Sequence, residues 1–325
     1  MFWRRLESIL MVILVLIFMT GLIAQAGTEY PTRTIEIVVP SGTGGGQDTL
    51  VRVLEPLLEK ILGVGIKVTN VPGGSHTKGI LYSYEAPADG YTIHCLSPSD
   101  LASDIFKKLN ITFTEEFVPL CRFQHDTSIF WGGANGKFKD IYEVIEYAKK
   151  YPGAVTIAAA SPGGIDDAVI GLFSNQTGAK LTLIPTKGGE RLSMTIGGHY
   201  HMVCEEAGSV GDLMKTGDLI PFFVARATRI DNKWLKDAVC SEDLGIDVSI
   251  GTWRGFALKK GTPQEIVDIL AKAFEDAYNL EEYKKYEKEN LLNLRPGWLG
   301  PEEFGKSWQE EIEAFTDVFK SLGRL

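Results

Sequence analysis

The chain carries four cysteines in 325 residues, Cys95, Cys121, Cys204 and Cys240, and none is near enough to another to form a CxxC pair. That spacing excludes the common zinc and dithiol redox motifs, and leaves both a disulfide and buried free thiols open. No P-loop Lys-Ser/Thr follows a glycine run, and no Gly-x-Ser-x-Gly occurs, because residue 159 is Ala. Short fixed-period repeats and low-complexity stretches are missing too. Positive charge is scarce: Lys and Arg number 33 against 42 Asp and Glu, a formal net charge of −9. Such a balance argues against nucleic acid or an anionic membrane surface as partner. It does not exclude an acidic solute, since screening acts over ~8 Å and local donors decide binding.

The N-terminus reads as an export signal over residues 1–26. Arg4 and Arg5 precede an apolar run from Ile9, and Ala24-Gln25-Ala26 offers a small-x-small cleavage site. The apolar run falls short of the ~20 residues that span a bilayer. With no Cys at the cleavage site to take a lipid, the expected product is a freely diffusing periplasmic protein and a monomer. The remaining length suits two lobes of ~100–200 residues each.

Beyond residue 26, strand-like and helix-like segments alternate, the pattern of an α/β fold with helices covering parallel strands. Ile35 to Val39 is an apolar, β-branched run. Leu50, Val51, Leu54, Leu57, Leu58 and Ile61 then recur at helical spacing up to a stop at Gly63. Strands are expected at Val64 to Val71 and Tyr91 to Leu96, with a helix from His76 to Glu85 between them. A second series has helices from Phe138 to Lys150 and from Gly164 to Gln176. Its strands are Val155 to Ala160, Leu181 to Ile184, Met202 to Cys204 and Ile220 to Val224. The tail from Pro263 is helical, with a long charged stretch to Asn290 and a last helix from Pro301 to Leu322.

Two segments lie between a strand and a helix and are rich in glycine: Pro40 through Asp48 (PSGTGGGQD) and Ala160 through Asp167 (ASPGGIDD). Glycine lets backbone approach a ligand, and the N–H groups of a helix start carry partial positive charge. Both segments therefore point to an anion, one from each lobe. Charge-assisted hydrogen bonds contribute ~1.5–3 kcal/mol each, so four would outweigh the ~8 kcal/mol of micromolar binding before ordering costs. The plainer reading of the second segment is helix capping by Asp166 or Asp167.

The chain resembles the extracytoplasmic solute receptors of tripartite tricarboxylate transporters, the Bug type. The matching runs are Tyr30-Pro31, Pro40 through Asp48, Asn70 through Gly74 (NVPGG), Pro87 through Thr92 (PADGYT) and Phe113 to Pro119 (FTEEFVP). Ile184 to Gly188 (IPTKG), Gly197-Gly198, Trp253-Arg254-Gly255 and Gly261-Thr262-Pro263 follow in the same order. The resemblance implies a type II periplasmic-binding-protein fold, two Rossmann-like lobes with a ligand cleft between them. It implies a receptor without catalytic activity or cofactor, which captures a small carboxylate and passes it to one small and one large membrane subunit. Carried over, Ser41, Thr43, Gly44, Gly45, Gln47 and Asp48 form the first ligand loop, and Ser161, Gly163, Gly164 and Asp167 the second. Ser41 departs from the bulky residue, and Asp167 from the His, that many members have there. The lobes are expected to be 27–123 with 226–325, and 124–225, hinged near 124 and 225.

Glu205 and Glu206 follow the Met202 to Cys204 strand, where such receptors recognise the far end of the ligand. Together with Asp167 they suit a cationic or hydroxyl-bearing tail better than a second carboxylate. Two rival readings rest on fewer residues. His199 and His201 alternate near Glu205 as a pair of metal ligands would, without a firm third. Ser161 stands on a strand-to-helix turn, as a hydrolase nucleophile does, but His76, His94 and His125 have no motif that ties them to it.

Overall fold

The computed structural model describes residues 29–160, 162–186 and 188–325. The expected export signal lies outside the described residues, as does Ser161. From Arg33 onward the chain builds two sheets. The first is five-stranded, in the order β2-β1-β3-β11-β4, and the second six-stranded, in the order β10-β9-β5-β8-β6-β7. The first contains β1 (Ile35–Val39), β2 (Ile66–Asn70), β3 (Thr92–Leu96), β4 (Phe117–His125) and β11 (Trp253–Lys259). The second contains β5 (Ser128–Gly133), β6 (Val155–Ala159), β7 (Leu181–Pro185), β8 (Met202–Glu206), β9 (Leu219–Val224) and β10 (Val239–Cys240).

β1 is parallel to both β2 and β3. A strand covered on both faces reads as a continuous β-branched run, and four of the five residues of IEIVV are buried. The helix Gly46–Leu62 turns Leu50, Val51, Leu54 and Leu58 inward and ends where Gly63 adopts φ 72° and donates its N–H to Glu59 O. In the second sheet the residues sort by pleat. Phe130, Ile157, Met202 and Cys204 pack with the helices Ile141–Lys150 and Ile165–Thr177, while Ile129, Trp131, Ala158 and Val203 face the other layer.

The central antiparallel strands place the site. β11 runs antiparallel to β3 and β4, so Trp253 and Arg254 start at the edge where the parallel strands end. β5 runs antiparallel to β8, with Ser128 opposite Glu206. Asp126 and Thr127 alone separate β4 from β5, so the chain passes directly from the first sheet to the second. It returns just before β11, and there Asp126 N–H donates to Thr252 O at 2.6 Å. Val239–Cys240, expected with the first lobe, pairs with β9 in the second sheet. A two-residue strand leaves too little pattern to place from sequence.

The helix Gln264–Asn279 packs on Gly46–Leu62, and the helix Pro301–Ser321 packs on β4. The last helix also reaches the second sheet's layer, where Phe315 and Phe319 meet Ala168 and Ile165. Among the described residues, no helix is long and apolar enough to cross a membrane.

Candidate functional site

The two glycine-rich segments fold alike. In the first, Gly44 adopts φ 80° and donates its N–H to Asp48 Oδ2 at 2.8 Å. In the second, Gly163 adopts φ 74° and donates to Asp167 Oδ2 at 3.0 Å. Each is followed by an extended glycine at the helix N-cap, Gly45 and Gly164. A left-handed glycine, an extended glycine and an aspartate four residues on thus recur at both helix starts. The aspartates occupy the amides of the left-handed glycines, ahead of the helix, and neither N-cap glycine carries a side-chain cap hydrogen bond. What each loop offers outward is the first helical turn, whose N–H groups have no acceptor in their own helix.

The first loop is also tied to β2. Asn70 Nδ2 donates to Ser41 O at 3.1 Å and to Asp48 Oδ1 at 3.0 Å, and Thr43 Oγ1 lies 3.4 Å from Asn70 Oδ1. Arg52 Nε donates to Asp48 at 3.0 Å. Burial alone would raise the Asp48 carboxyl, but Arg52, Gly44 and Asn70 hold it below the usual carboxylate range. Gln47 turns away from the helix start and donates to Cys95 O at 3.1 Å, buried against the first sheet. Gly45 N–H closes a turn on Gly42 O at 3.2 Å, and Ser41 Oγ is buried with no hydrogen-bond partner.

In the second loop Asp166 accepts the Ala160 N–H at 2.9 Å, and Arg324 lies 3.2 Å from Asp167. Phe106, from the first sheet's side, faces Gly163: its ring carbons stand 3.7 and 3.8 Å from where a Cβ would be.

Between the two loops lies a buried charge cluster. Arg254, from the start of β11, sits directly over Gly46 and pairs with Asp126 at 2.6 Å. Its Nη2 is 4.0 Å from Glu206 Oε2, at the end of β8. Arg191, from the helix Gly188–Ile196, pairs through Nε with Glu205 Oε1, and its buried Nη1 has no hydrogen-bond partner. Burial opposes the charge on Arg254, but Asp126 and Glu206 outweigh it and keep the guanidinium firmly protonated. Burial, with Glu206 second, pushes the Glu205 carboxyl up to about 8. The same two causes push Asp166 to about 6. Burial raises Asp126 to about 6 against the pull of Arg254. Glu206 moves the other way: burial would raise it, but Arg254, a backbone hydrogen bond, Arg191 and a hydrogen bond with the Thr252 side chain together outweigh the desolvation.

Of the residues expected at the site, Ser41, Thr43, Gly44, Gly45 and Asp48 share one helix start, and Gly163, Gly164 and Asp167 share the other. Glu205 stands with Arg191 at the C-terminal end of β8, between β5 and β6. Arg254, Asp126, Asp166 and Arg191 were not among the expected residues. Arg254 sits within a quoted motif, Trp253-Arg254-Gly255, whereas Arg191 has no local signal. The expectation of a cationic or hydroxyl-bearing tail counted Glu205 and Glu206 without the arginines that face them.

The histidines find local roles. His94 is buried, with Ser83 Oγ 2.9 Å from Nδ1 and Asp100 3.1 Å from Nε2. A Ser-His-Asp hydrolase has these two partners on the opposite nitrogens, with its serine open to substrate; Ser83 is only 3% exposed. Asp100 also receives His76 at 2.9 Å and the Ser97 N–H at 2.8 Å. His201 Nδ1 accepts the Thr156 N–H at 3.1 Å. Among the described residues, no cluster of three or more His, Cys, Asp or Glu side chains is arranged to hold a metal ion.

The family described as "Tripartite tricarboxylate transporter family receptor" matches residues 50–297. Protein BugT of Bordetella pertussis is 25% identical over 325 residues, covering 98% of this chain and 98% of its own length. A TctC solute-binding protein from Polaromonas, solved without ligand, is 26% identical with a TM-score of 0.69, covering 90% of this chain and 99% of that one. MatC from Rhodopseudomonas palustris, solved with bound malate, shares the fold at a TM-score of 0.78 and 23% identity, covering 89% and 99%. The family match begins at residue 50, just past the first glycine-rich helix start, and takes in the second and strands of both sheets. The fold is thus the type II periplasmic-binding-protein fold, and the chain belongs to the tripartite tricarboxylate transporter receptor family, of the Bug type.

Proposed function

We propose that this chain is a periplasmic receptor without catalytic activity that captures one small carboxylate between its two sheets. It then delivers the solute, as a monomer, to the small and large membrane subunits of a tripartite transporter. One lobe consists of residues 33–125 with 253–325 and the other of 128–250, hinged at 126–127 and 251–252. The observation that carries this reading is the repeated helix start: Gly44, Gly45 and Asp48 on one side, Gly163, Gly164 and Asp167 on the other.

The carboxylate lies between the first turns of Gly46–Leu62 and Ile165–Thr177, next to the Arg254 guanidinium. Two helix dipoles and one fixed cation there favour a negative group. Ser41 and Thr43 line the first loop, while Gln47 shapes it from behind. Glu205 and Arg191 face the distal part of the solute. Ligand contacts to both lobes draw them together, since only the closed form satisfies both helix starts.

The test is native mass spectrometry of the protein purified from a periplasmic extract, followed by calorimetry with the acid that it carries. A bound carboxylate with micromolar or tighter affinity is the expected result. A protein that retains and binds only metal ions or uncharged solutes would overturn the proposal.

A further inference from the structure

Three arginines gather where the chain passes between the sheets. Arg122 lies on β4, Arg226 just past the end of β9, and Arg295 between the short helix Leu292–Leu294 and the last helix. All three are half-buried. Arg122 donates through Nε to Gly297 O at 2.9 Å and through Nη2 to Pro296 O at 3.1 Å. Arg226 and Arg295 grip the backbone beside each other: Arg226 Nη1 donates to Leu294 O at 2.7 Å, and Arg295 Nη2 to Ala225 O at 2.9 Å. Arg295 Nε also donates to Thr127 Oγ1 at 2.8 Å, on the link from β4 to β5.

Each of these acceptors is a neutral carbonyl or hydroxyl. Such groups satisfy an N–H but leave the charge uncompensated, and like charges repel across a half-buried site. Among the described residues none of the three arginines forms an ion pair, and the nearby acids are engaged elsewhere, Asp126 with Arg254 and Glu311 with Trp253. Burial first, then Arg226 and Arg122, lowers the Arg295 guanidinium to about 10. Basic residues are in deficit overall, 33 against 42 acids, so unpaired cations collected at one place are not a by-product of composition. They mark a place for an anion.

The donors left over restrict its shape. Arg122 Nη1, Arg226 Nη2 and Arg295 Nη1 make no hydrogen bond among the described residues, so each guanidinium keeps a free edge. Those edges come from a strand of the first sheet, the end of a strand of the second, and the segment before the last helix. A planar carboxylate matches one guanidinium fork at a time, whereas a tetrahedral oxyanion accepts from several sides.

We infer that Arg122, Arg226 and Arg295 form a second anion site, apart from the glycine-rich loops, which takes a free tetrahedral oxyanion such as phosphate or sulfate. Arg122 belongs to the first sheet and Arg226 to the second, so the bound ion braces the link between them. The site does not depend on the carboxylate-receptor reading above.

Titration calorimetry on the full protein tests it, with sodium phosphate and sodium sulfate as probes and sodium acetate as the planar counterpart, at matched ionic strength and about pH 7. Calorimetry is preferable to melting because sulfate stabilises proteins generally by exclusion. Phosphate and sulfate should each fill one saturable site with a Kd of about 1 mM or tighter, and acetate should bind at least about tenfold more weakly. Arg226→Gln and Arg295→Gln should each weaken phosphate binding about tenfold or more, and Arg226→Lys, which keeps the charge, should weaken it less. Arg226 makes a single hydrogen bond within the protein, so Arg226→Gln is the mildest of these for folding, and the wild-type titration needs no variant at all. Absence of saturable phosphate and sulfate binding overturns the inference. Acetate that binds as tightly as phosphate overturns the tetrahedral assignment. Phosphate binding that survives in Arg226→Gln and Arg295→Gln but is lost in Gly46→Ala, where a Cβ would collide with Arg254, puts the ion in the cleft and overturns the second site. Each of these failures leaves the carboxylate reading standing.

Discussion

The guanidinium of Arg254 is pressed against the backbone of Gly46: a Cβ built on Gly46 would stand 2.2 Å from Nη2 and 2.7 Å from Cζ. Glycine at the first position of that helix is thus a requirement of the arginine. Gly46→Ala should displace Arg254 from Asp126 and cost about 1–3 kcal/mol of stability, as overpacking does. Affinity for the carried acid should fall about tenfold or more, measured by calorimetry. Wild-type affinity and melting temperature in this variant would remove Arg254 from the site.

The two helix starts look alike but are secured unequally. Asp48 has Gly44, Asn70 and Arg52 as partners, whereas Asp167 has Gly163 and the half-exposed Arg324. Arg52 is about as exposed as Arg324, so neither ion pair adds much, and Asn70 is the partner that Asp48 alone has. Urea denaturation should therefore show Asp48→Asn losing about 1–3 kcal/mol and Asp167→Asn distinctly less. Equal losses would show that the β2 tether through Asn70 contributes nothing.

The raised carboxyls have a signature in pH. Glu205 holds its proton up to about 8, and Glu311, buried beside Trp253, up to about 7. Between the ordinary carboxyl range and those values the folded state binds more protons than the unfolded one, so stability falls as pH rises through that window. Glu205→Gln removes one such group. Its melting temperature should decline less steeply between pH 5 and 8 than that of the wild type, at roughly those limits.

His125 has the opposite sign. Burial, with help from Arg122, Arg295 and Arg226, keeps the ring neutral down to about 3. From the ordinary histidine range down to that value the unfolded state takes the extra proton, so stability is lost as pH falls. His125→Asn should lose less melting temperature than the wild type between about pH 7 and 4.

All four cysteines are free and buried. Burial raises the thiols of Cys121 and Cys204 well above their usual range, which suppresses the reactive thiolate. Ellman's reagent should titrate almost nothing in the native protein and four thiols after denaturation. A lower denatured count would reveal a bridge.

Much of the fold is legible in the residues themselves. Runs such as IEIVV and the helical spacing from Leu50 to Ile61 give β1 and the helix Gly46–Leu62 nearly to the residue, since burial on both faces leaves no ambiguity of period. The glycine loops are equally visible, because left-handed backbone demands glycine at 44 and 163. The central antiparallel strands are not. β4 (FVPLCRFQH) mixes a proline, an arginine and a glutamine into its run, and its arginine is satisfied by a segment far along the chain, where Arg122 donates to Gly297 O at 2.9 Å. Arg191 is hidden for a similar reason. Its meaning comes from Glu205, which meets it only once β8 and the helix Gly188–Ile196 have packed.

The 2.6 Å bond from Asp126 N–H to Thr252 O joins the outgoing and returning passages between the sheets. Side by side and bonded, the two segments form a narrow ribbon that can flex or twist as a unit but cannot slide one past the other. At Gly251 even a methyl group would collide with Asp126 O at 2.0 Å, so the ribbon has no slack to absorb a larger residue. Its geometry therefore limits the path along which the cleft can open.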